Sequence, residues 1–119
     1  MTEPLKQLSP QDVLDGLADG TLLLIDVREP LEFAEARIPG ALLFPLSTFD
    51  PRHLPTPGEK RLVFLCRSGQ RSQSAFAHAC EAGISAHGHL EGGLKAWLAA
   101  GYETVRSDPG TGQKKLTHS

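Results

Sequence analysis

The sequence lacks long hydrophobic runs. Its apolar stretches, such as 22–25 and 62–66, are four to five residues long, whereas a membrane-spanning helix needs roughly 20. The amino-terminal segment has neither a basic start nor an apolar stretch, so the sequence predicts no secretory signal. The chain contains only 2 cysteines. Without a signal, we expect them in the reducing cytoplasm, where thiols serve packing or reactivity more often than disulfides.

The sequence also lacks an excess of basic charge. Its 12 basic and 14 acidic residues give a net charge of −2, which argues against a broad nucleic-acid surface. We therefore expect no nucleic-acid partner and no membrane partner. Apolar residues are 39% and charged residues 22% of the 119 residues. This composition and length are typical of one globular domain.

Strand and helix signals alternate along the chain. Apolar runs predict strands at 22–26, 41–44, 61–65 and 86–90. Helical signals begin at Ser9, a candidate cap followed by Pro10, and continue at 30–37, 72–81 and 93–100. This alternation is typical of an α/β domain with a parallel sheet. A proline-rich surface loop is expected over 50–60.

The carboxyl-terminal segment differs in composition from the rest. Residues 106–119 contain one leucine and no aromatic residue, with Gly, Ser, Thr and Lys throughout. Such a composition favours disorder. We therefore predict a folded domain over residues 5–105 and a disordered tail over 106–119.

The predicted strand 61–65 leads into the segment with the clearest chemical signal. Cys66 comes directly after it, and small, polar or cationic residues follow: Arg67, Ser68, Gly69, Gln70, Arg71 and Ser72. Reactive groups of parallel α/β sheets collect at the carboxyl ends of the strands. Unpaired amides at a turn and a helix start, together with two arginines, favour a thiolate, which is the nucleophilic form of cysteine.

Two residues of this segment are expected to shape its backbone. Gly69 lets the chain turn inward without a Cβ in the way, and Ser72 is a candidate cap for the following helix. The alternative is a cysteine that merely packs in the core. Arginines and a glycine beside it fit an anion-binding loop better than a core.

Four segments, in this order, resemble the rhodanese-like domains. They are DVRE with EF (26–33), RIPGA (37–41), CRSGQRS (66–72) and EGGLKAW (91–97). The resemblance covers roughly residues 5–103. It implies a five-stranded parallel sheet with helices on both faces. It also implies a Cys66 that carries a sulfane sulfur as a persulfide.

The resemblance implies a two-step sulfurtransferase reaction without a cofactor or metal. Cys66 would take sulfur from thiosulfate or a similar small anionic donor and pass it to cyanide or a thiol. A sulfur-accepting protein is a further expected partner. The alternatives left open are a persulfide carrier or protein-interaction module, and a relative of the C-x5-R phosphatases. The spacing from Cys66 to Arg71 is C-x4-R, one residue shorter, which favours sulfur transfer.

Asp26 and Arg28 at the end of the second strand are candidate supporting residues. One interpretation places them beside the reactive cysteine, and the other is an ion pair that fixes the turn. Arg37 stands where the family usually has histidine.

The remaining cysteine and histidines are weaker candidates. Cys80 is expected to pack in the core, with resolution of a persulfide as the alternative. His87 and His89 lie two apart, so they share one face of a strand. They are expected to flank the pocket rather than bind metal, because no third ligand accompanies them.

Overall fold

The computed structural model describes residues 4–107 and the backbone of residues 114–117. Strands are β1 (Lys6–Leu8), β2 (Leu22–Asp26), β3 (Leu42–Leu43), β4 (Arg61–Leu65), β5 (Gly88–Leu90), β6 (Thr104–Ser107) and β7 (Lys114–Thr117). Helices are α1 (Pro10–Ala18), α2 (Pro30–Glu35), α3 (Arg71–Glu81) and α4 (Gly93–Ala99). Two 3-10 turns, Leu46–Thr48 and Pro51–His53, lie between β3 and β4.

The first five strands form one parallel sheet, in the order β1-β5-β4-β2-β3. The central pair, β2 and β4, is in register from Leu22 opposite Arg61 to Asp26 opposite Leu65. The carboxyl ends of these two strands therefore lie side by side, where parallel sheets collect functional groups. The predicted five-stranded α/β architecture is confirmed.

Apolar side chains cover both faces of the sheet. On one face, Val63 and Leu65 of β4 pack into a cluster that includes residues of α1 and α4. On the other, Leu62, Phe64 and Cys66 pack into a cluster that includes residues of α3 and the 3-10 turns. Successive side chains of a strand point to opposite faces. The alternation along β4 therefore sends Cys66 toward α3.

The first helix begins as the sequence predicts. The Ser9 Oγ accepts a hydrogen bond from the Asp12 amide at 3.1 Å, and the Asp12 carboxylate accepts one from the Ser9 amide at 3.0 Å. This reciprocal pair is a capping box, which satisfies amides that the helix leaves unpaired. Among the helices of the described residues, none is long and apolar enough to cross a bilayer.

Two segments differ from the sequence-based expectation. β1 was not predicted, because its three residues, KQL, carry no apolar pattern. Part of the tail predicted to be disordered lies in a two-stranded antiparallel sheet of β6 and β7. Val105 also bridges to Arg37 through two backbone hydrogen bonds of 2.8 Å. Residues 108–113 and 118–119 of the tail lie outside the described residues. The domain boundary at 105 stays a prediction.

We expect Leu24→Ala to lower the free energy of unfolding by about 2–5 kcal/mol, because it opens a cavity in the packed core. Leu24 is 0% exposed on the central strand β2. The matched control is Leu31→Ala on α2, since Leu31 is 81% exposed and should change stability by no more than about 0.5 kcal/mol. Urea denaturation of both variants checks this. Equal losses would contradict the assignment of the core.

Candidate active site

Cys66 is the first residue after β4 and lies under the turn that leads into α3. We call residues 66–71 the Cys66 loop. The cysteine is 1% exposed, and both it and Cys80 are free thiols. A single thiol is thus positioned where the carboxyl ends of β4 and its neighbours meet the start of a helix.

Hydrogen-bond donors of the loop converge on the Cys66 sulfur. The Gly69 amide donates to Sγ at 3.1 Å. Gly69 has φ +104°, a backbone conformation that favours glycine because L side chains rarely adopt it. This conformation turns the amide inward toward the sulfur, as the sequence predicts for this glycine.

The carbonyl groups of the loop are bound from outside it. The amides of Leu94 and Lys95, in the first turn of α4, donate to the carbonyls of Cys66 (2.9 Å) and Arg67 (3.0 Å). The side-chain amide of Gln73 donates to the Gly69 carbonyl at 2.9 Å. Because these carbonyls have partners away from the sulfur, the interior of the loop is lined by donors.

Gly93, the first residue of α4, makes this contact possible. It has φ +60°, and a Cβ there would overlap the Cys66 carbonyl oxygen and lie 2.6 Å from the Arg67 carbonyl carbon. Any side chain would push α4 away from the loop. Gly93 thus allows the close approach of α4 to the Cys66 loop.

The environment of Cys66 lowers the pKa of its thiol below the usual value. Burial acts in the opposite direction, because it disfavours the charged form. Hydrogen bonds from the Ser72 side chain and from the amides of Ser72, Gly69 and Ser68 outweigh that effect. The arrangement therefore favours the thiolate, the nucleophilic form of cysteine.

Ser72 contacts the sulfur instead of capping the helix. α3 begins at Arg71, with Gln70 as the preceding residue, so Ser72 is already inside the first turn. Its Oγ lies 3.5 Å from Cys66 Sγ and 2.7 Å from His89 Nδ1. The predicted capping role is wrong, since the hydroxyl has partners in the site itself.

The two arginines of the loop differ in their surroundings. Arg71 pairs with Glu32 of α2 through two hydrogen bonds of 2.7 and 2.9 Å, while Arg67 is exposed on the loop. The hydrogen bonds from Arg71 lower the pKa of Glu32 to about 2, against the effect of burial. The sequence predicts two available positive charges, but Glu32 offsets that of Arg71.

Asp26 and Arg28 form a buried ion pair at 2.8 Å. The Arg28 guanidinium also donates to the backbone carbonyls of Glu32 and Ala36. The pair therefore fixes α2 against the carboxyl end of β2. Of the two interpretations weighed for these residues, this geometry favours the structural one.

The contacts described for Arg37 and Cys80 are made with residues outside the Cys66 loop. The Arg37 guanidinium is 4.9 Å from the centre of the Phe33 ring and donates to Ser107 Oγ at 3.2 Å. It thus connects α2 with β6. Cys80 packs, partly buried, against the α3 side of the core, as expected. No three His, Cys, Asp or Glu residues cluster as metal ligands in the described part of the chain.

The contacts that three residues make in this site were not predicted from the sequence: those of Glu32, His89 and Gly93. Glu32 was noted only within a motif, and His89 only as a residue near the pocket. Each acts on a residue distant in the chain, so local spacing does not reveal the contact. The run of glycines at 92 and 93 was the one available signal, since paired glycines often mark a close approach of backbone.

We expect Gly93→Ala to destabilise the protein by more than about 3 kcal/mol, because backbone strain and steric overlap with the loop add together. The matched control is Gly101→Ala. Gly101 has φ +82°, and a Cβ added there would have no atom within 4 Å, so that variant carries only the conformational cost of about 1–2 kcal/mol. Thermal denaturation compares the two. Equal shifts in Tm would contradict the proposed role of the close contact.

We expect the Glu32–Arg71 pair to make stability depend on acid pH. A carboxyl whose pKa is lowered from 4.5 to about 2 on folding stabilises the folded state above pH 4.5, and that contribution is lost as the pH falls toward 2. The difference in Tm between the wild type and Glu32→Gln should therefore be largest near neutral pH and shrink with acidification. A constant difference from about pH 7 to pH 3 would contradict this linkage.

Comparison with known proteins identifies the family. Residues 9–100 match the profile described as a Rhodanese-like domain. A sulfurtransferase of Allochromatium vinosum is 34% identical over 100 residues, which cover 83% of this chain and 94% of that protein. An uncharacterized protein of Synechocystis sp. is 42% identical over 103 residues, or 87% of this chain. The chain spans only 53% of this second relative's length.

The fold comparison agrees with the sequence comparison. The human single-domain sulfurtransferase superposes with a TM-score of 0.68 and 28% sequence identity. The match covers 81% of this chain and 97% of the human one. With a matching profile over most of its length and a sulfurtransferase relative of nearly the same extent, the chain belongs to the rhodanese-like sulfurtransferase family.

Proposed function

We propose that this chain transfers a sulfane sulfur through a persulfide on Cys66. The donor is thiosulfate or a similar small anion, and the acceptor is cyanide or a thiol. One observation carries the proposal: the Cys66 sulfur lies inside a loop whose Gly69 amide donates to it at 3.1 Å, and the Ser72 hydroxyl of α3 lies 3.5 Å from it. Such donors stabilise a negative charge on sulfur in the same way as an oxyanion hole stabilises one on oxygen.

In the first half-reaction, the Cys66 thiolate attacks the outer sulfur of thiosulfate. The new S–S bond forms as the bond between the two sulfur atoms of thiosulfate breaks, and sulfite leaves with the electron pair of that bond. The product, Cys66–S–S⁻, keeps one negative charge. Loop amides that face the thiolate stabilise the terminal sulfur after the transfer.

In the second half-reaction, the acceptor attacks the terminal sulfur of the persulfide. Cyanide leaves as thiocyanate, and a thiolate leaves as a new persulfide. The S–S bond to Cys66 breaks, and the cysteine regains the electron pair as a thiolate. The lowered pKa of Cys66 makes that thiolate a better leaving group. Covalent catalysis in two steps gives ping-pong kinetics.

The charges around the loop favour an anionic donor. Arg67 is exposed on the loop, where a permanent positive charge attracts the thiosulfate dianion. Asp26 and Arg28 support the site indirectly, because their buried pair holds α2, which carries Glu32. A yeast relative that is 30% identical over 99 residues bears the name thiosulfate:glutathione sulfurtransferase, which supports the choice of donor and of a thiol acceptor.

The geometry of Arg71 argues against a phosphatase. Enzymes that cleave phosphate esters through a cysteine need cationic donors that grip the phosphoryl oxygens. Both terminal nitrogens of Arg71 donate to the Glu32 carboxylate, whose negative charge opposes the binding of a phosphate dianion. The loop is also one residue shorter than C-x5-R, and it fits one additional sulfur atom better than a phosphate.

The two free thiols suit the reducing cytoplasm that we propose as the setting.

We expect the intact mass of the reduced protein to rise by about 32 Da after exposure to thiosulfate, because one sulfur atom adds covalently to the nucleophile. Cyanide should remove that mass and yield an equal amount of thiocyanate. The gain should be absent in Cys66→Ser and unchanged in Cys80→Ser, the matched control. Steady-state kinetics with thiosulfate and cyanide should give parallel double-reciprocal lines.

The same experiment separates the alternatives. A protein that gains sulfur from a persulfide donor but not from thiosulfate is a carrier, which would overturn the choice of donor. No gain from either donor would contradict sulfur transfer, and hydrolysis of an aryl phosphate by that sample would replace it with phosphatase activity. A gain that persists in Cys66→Ser would place the sulfur on another residue.

A further inference from the structure

A buried histidine lies behind the Cys66 loop and is not used by the sulfur-transfer steps above. His89, on β5, is 1% exposed. Its Nδ1 lies 2.7 Å from Ser72 Oγ, and its Nε2 lies 2.6 Å from Gln7 Oε1 on β1. Together with the 3.5 Å contact from Ser72 to Cys66 Sγ, these bonds form a continuous chain from the thiol to Gln7, which is exposed.

The orientation of Gln7 sets the direction of the hydrogen bonds. Its side-chain oxygen faces Nε2, so Nε2 carries the proton and donates to it. Nδ1 is then unprotonated and accepts a hydrogen bond from the Ser72 hydroxyl. The Ser72 oxygen, in turn, accepts from the Cys66 thiol. Every donor in this chain has an acceptor.

We propose that Ser72, His89 and Gln7 form a proton relay that takes the proton from the Cys66 thiol and returns it. In this relay Ser72 passes the proton, His89 stores it, and Gln7 fixes the tautomer of His89. His89 and Gln7 are positioning residues, because neither contacts the sulfur. The relay rests on the proposed function, since it prepares the nucleophile of that reaction.

The transfer is balanced in atoms and charge. As the thiol ionises, its proton moves to Ser72 Oγ while the hydroxyl proton of Ser72 moves to Nδ1 of His89. The sulfur keeps its electron pair and becomes a thiolate, and the imidazole becomes an imidazolium that donates from both nitrogens. The Ser72 hydroxyl then donates to the thiolate beside the Gly69 amide. No oxidant, reductant or further reactant is required.

The groups on the surrounding elements favour an uncharged His89 in the resting enzyme. Burial lowers the pKa of His89, against a smaller opposing effect of Glu91, which follows β5. Its partners on β1 and α3, Gln7 and Ser72, are uncharged. Arg71 on α3 also interacts with Cys66, and the Glu32 carboxylate offsets part of that positive charge. The unprotonated Nδ1 faces the Ser72 hydroxyl and can take up its proton, and the lowered pKa of His89 means that the imidazolium gives that proton back readily.

The test titrates Cys66 directly. In a Cys80→Ser background, Cys66 is the single thiol, and absorbance near 240 nm reports its thiolate against pH. We expect His89→Asn to raise the midpoint by about one pH unit, so that alkylation by iodoacetamide below the midpoint slows about tenfold. Asparagine accepts the Ser72 hydrogen bond but stores no proton. His53→Asn is the matched control, because the His53 side chain is 77% exposed.

Two further variants distinguish the loss of the relay from a structural effect of the His89 substitution. Gln7→Glu places a carboxylate against Nε2, which stabilises the imidazolium, so we expect the Cys66 midpoint to fall. Because Gln7 is exposed, this change should leave Tm nearly unaltered. Ser72→Ala should raise the midpoint, and adding His89→Asn to it should have little further effect, since both act through one chain.

Kinetics give a second readout. His89→Asn should lower kcat on the acidic side of the pH profile and leave the KM for thiosulfate unchanged, because His89 does not contact the donor. Unchanged Cys66 midpoints in His89→Asn and Gln7→Glu would overturn the relay even if sulfur loads normally. Shifted midpoints in a protein that never loads sulfur would retain the relay and overturn the proposed function.

Discussion

The site depends on hydrogen bonds between the start of α4 and the carbonyls of the Cys66 loop. Each residue of a loop around a sulfur brings one amide and one carbonyl, and either group can face the sulfur. A carbonyl that faced a thiolate would repel it. Leu94 and Lys95 donate to the carbonyls of Cys66 and Arg67, so the inward direction is left to the amides. Gly93 permits the contact because it has no Cβ. The affinity of the loop for negative charge is therefore fixed by a helix outside the loop.

The same contact explains the order of elements along the chain. β5 lies beside β4 in the sheet, so the glycine turn that follows β5 returns α4 directly to the end of β4. The face of β5 that bears His89 also faces α3, which brings the imidazole to Ser72. One strand pair thus supplies the nucleophile, the anchoring helix and the buried histidine.

Sequence patterns predicted the fold and the loop because both are encoded locally. An apolar run before Cys66, with glycine and polar residues after it, identifies a strand end and an anion-binding turn within a dozen residues. The contacts of Glu32 with Arg71 and of His89 with Gln7 join residues 39 and 82 apart. Such contacts depend on strand order, which spacing does not encode. β1 escaped prediction because three residues are too few to show a period.

The most direct test of sulfur transfer through Cys66 is a crystal structure of the protein after reaction with thiosulfate, with anomalous data that locate sulfur. We predict one additional sulfur about 2.05 Å from Cys66 Sγ, the length of an S–S bond. That sulfur should lie inside the loop, within hydrogen-bond distance of its amides and away from the carbonyls of Cys66 and Arg67. An unmodified Cys66 together with sulfur bound at Cys80, or an additional sulfur facing those carbonyls, would contradict this mechanism.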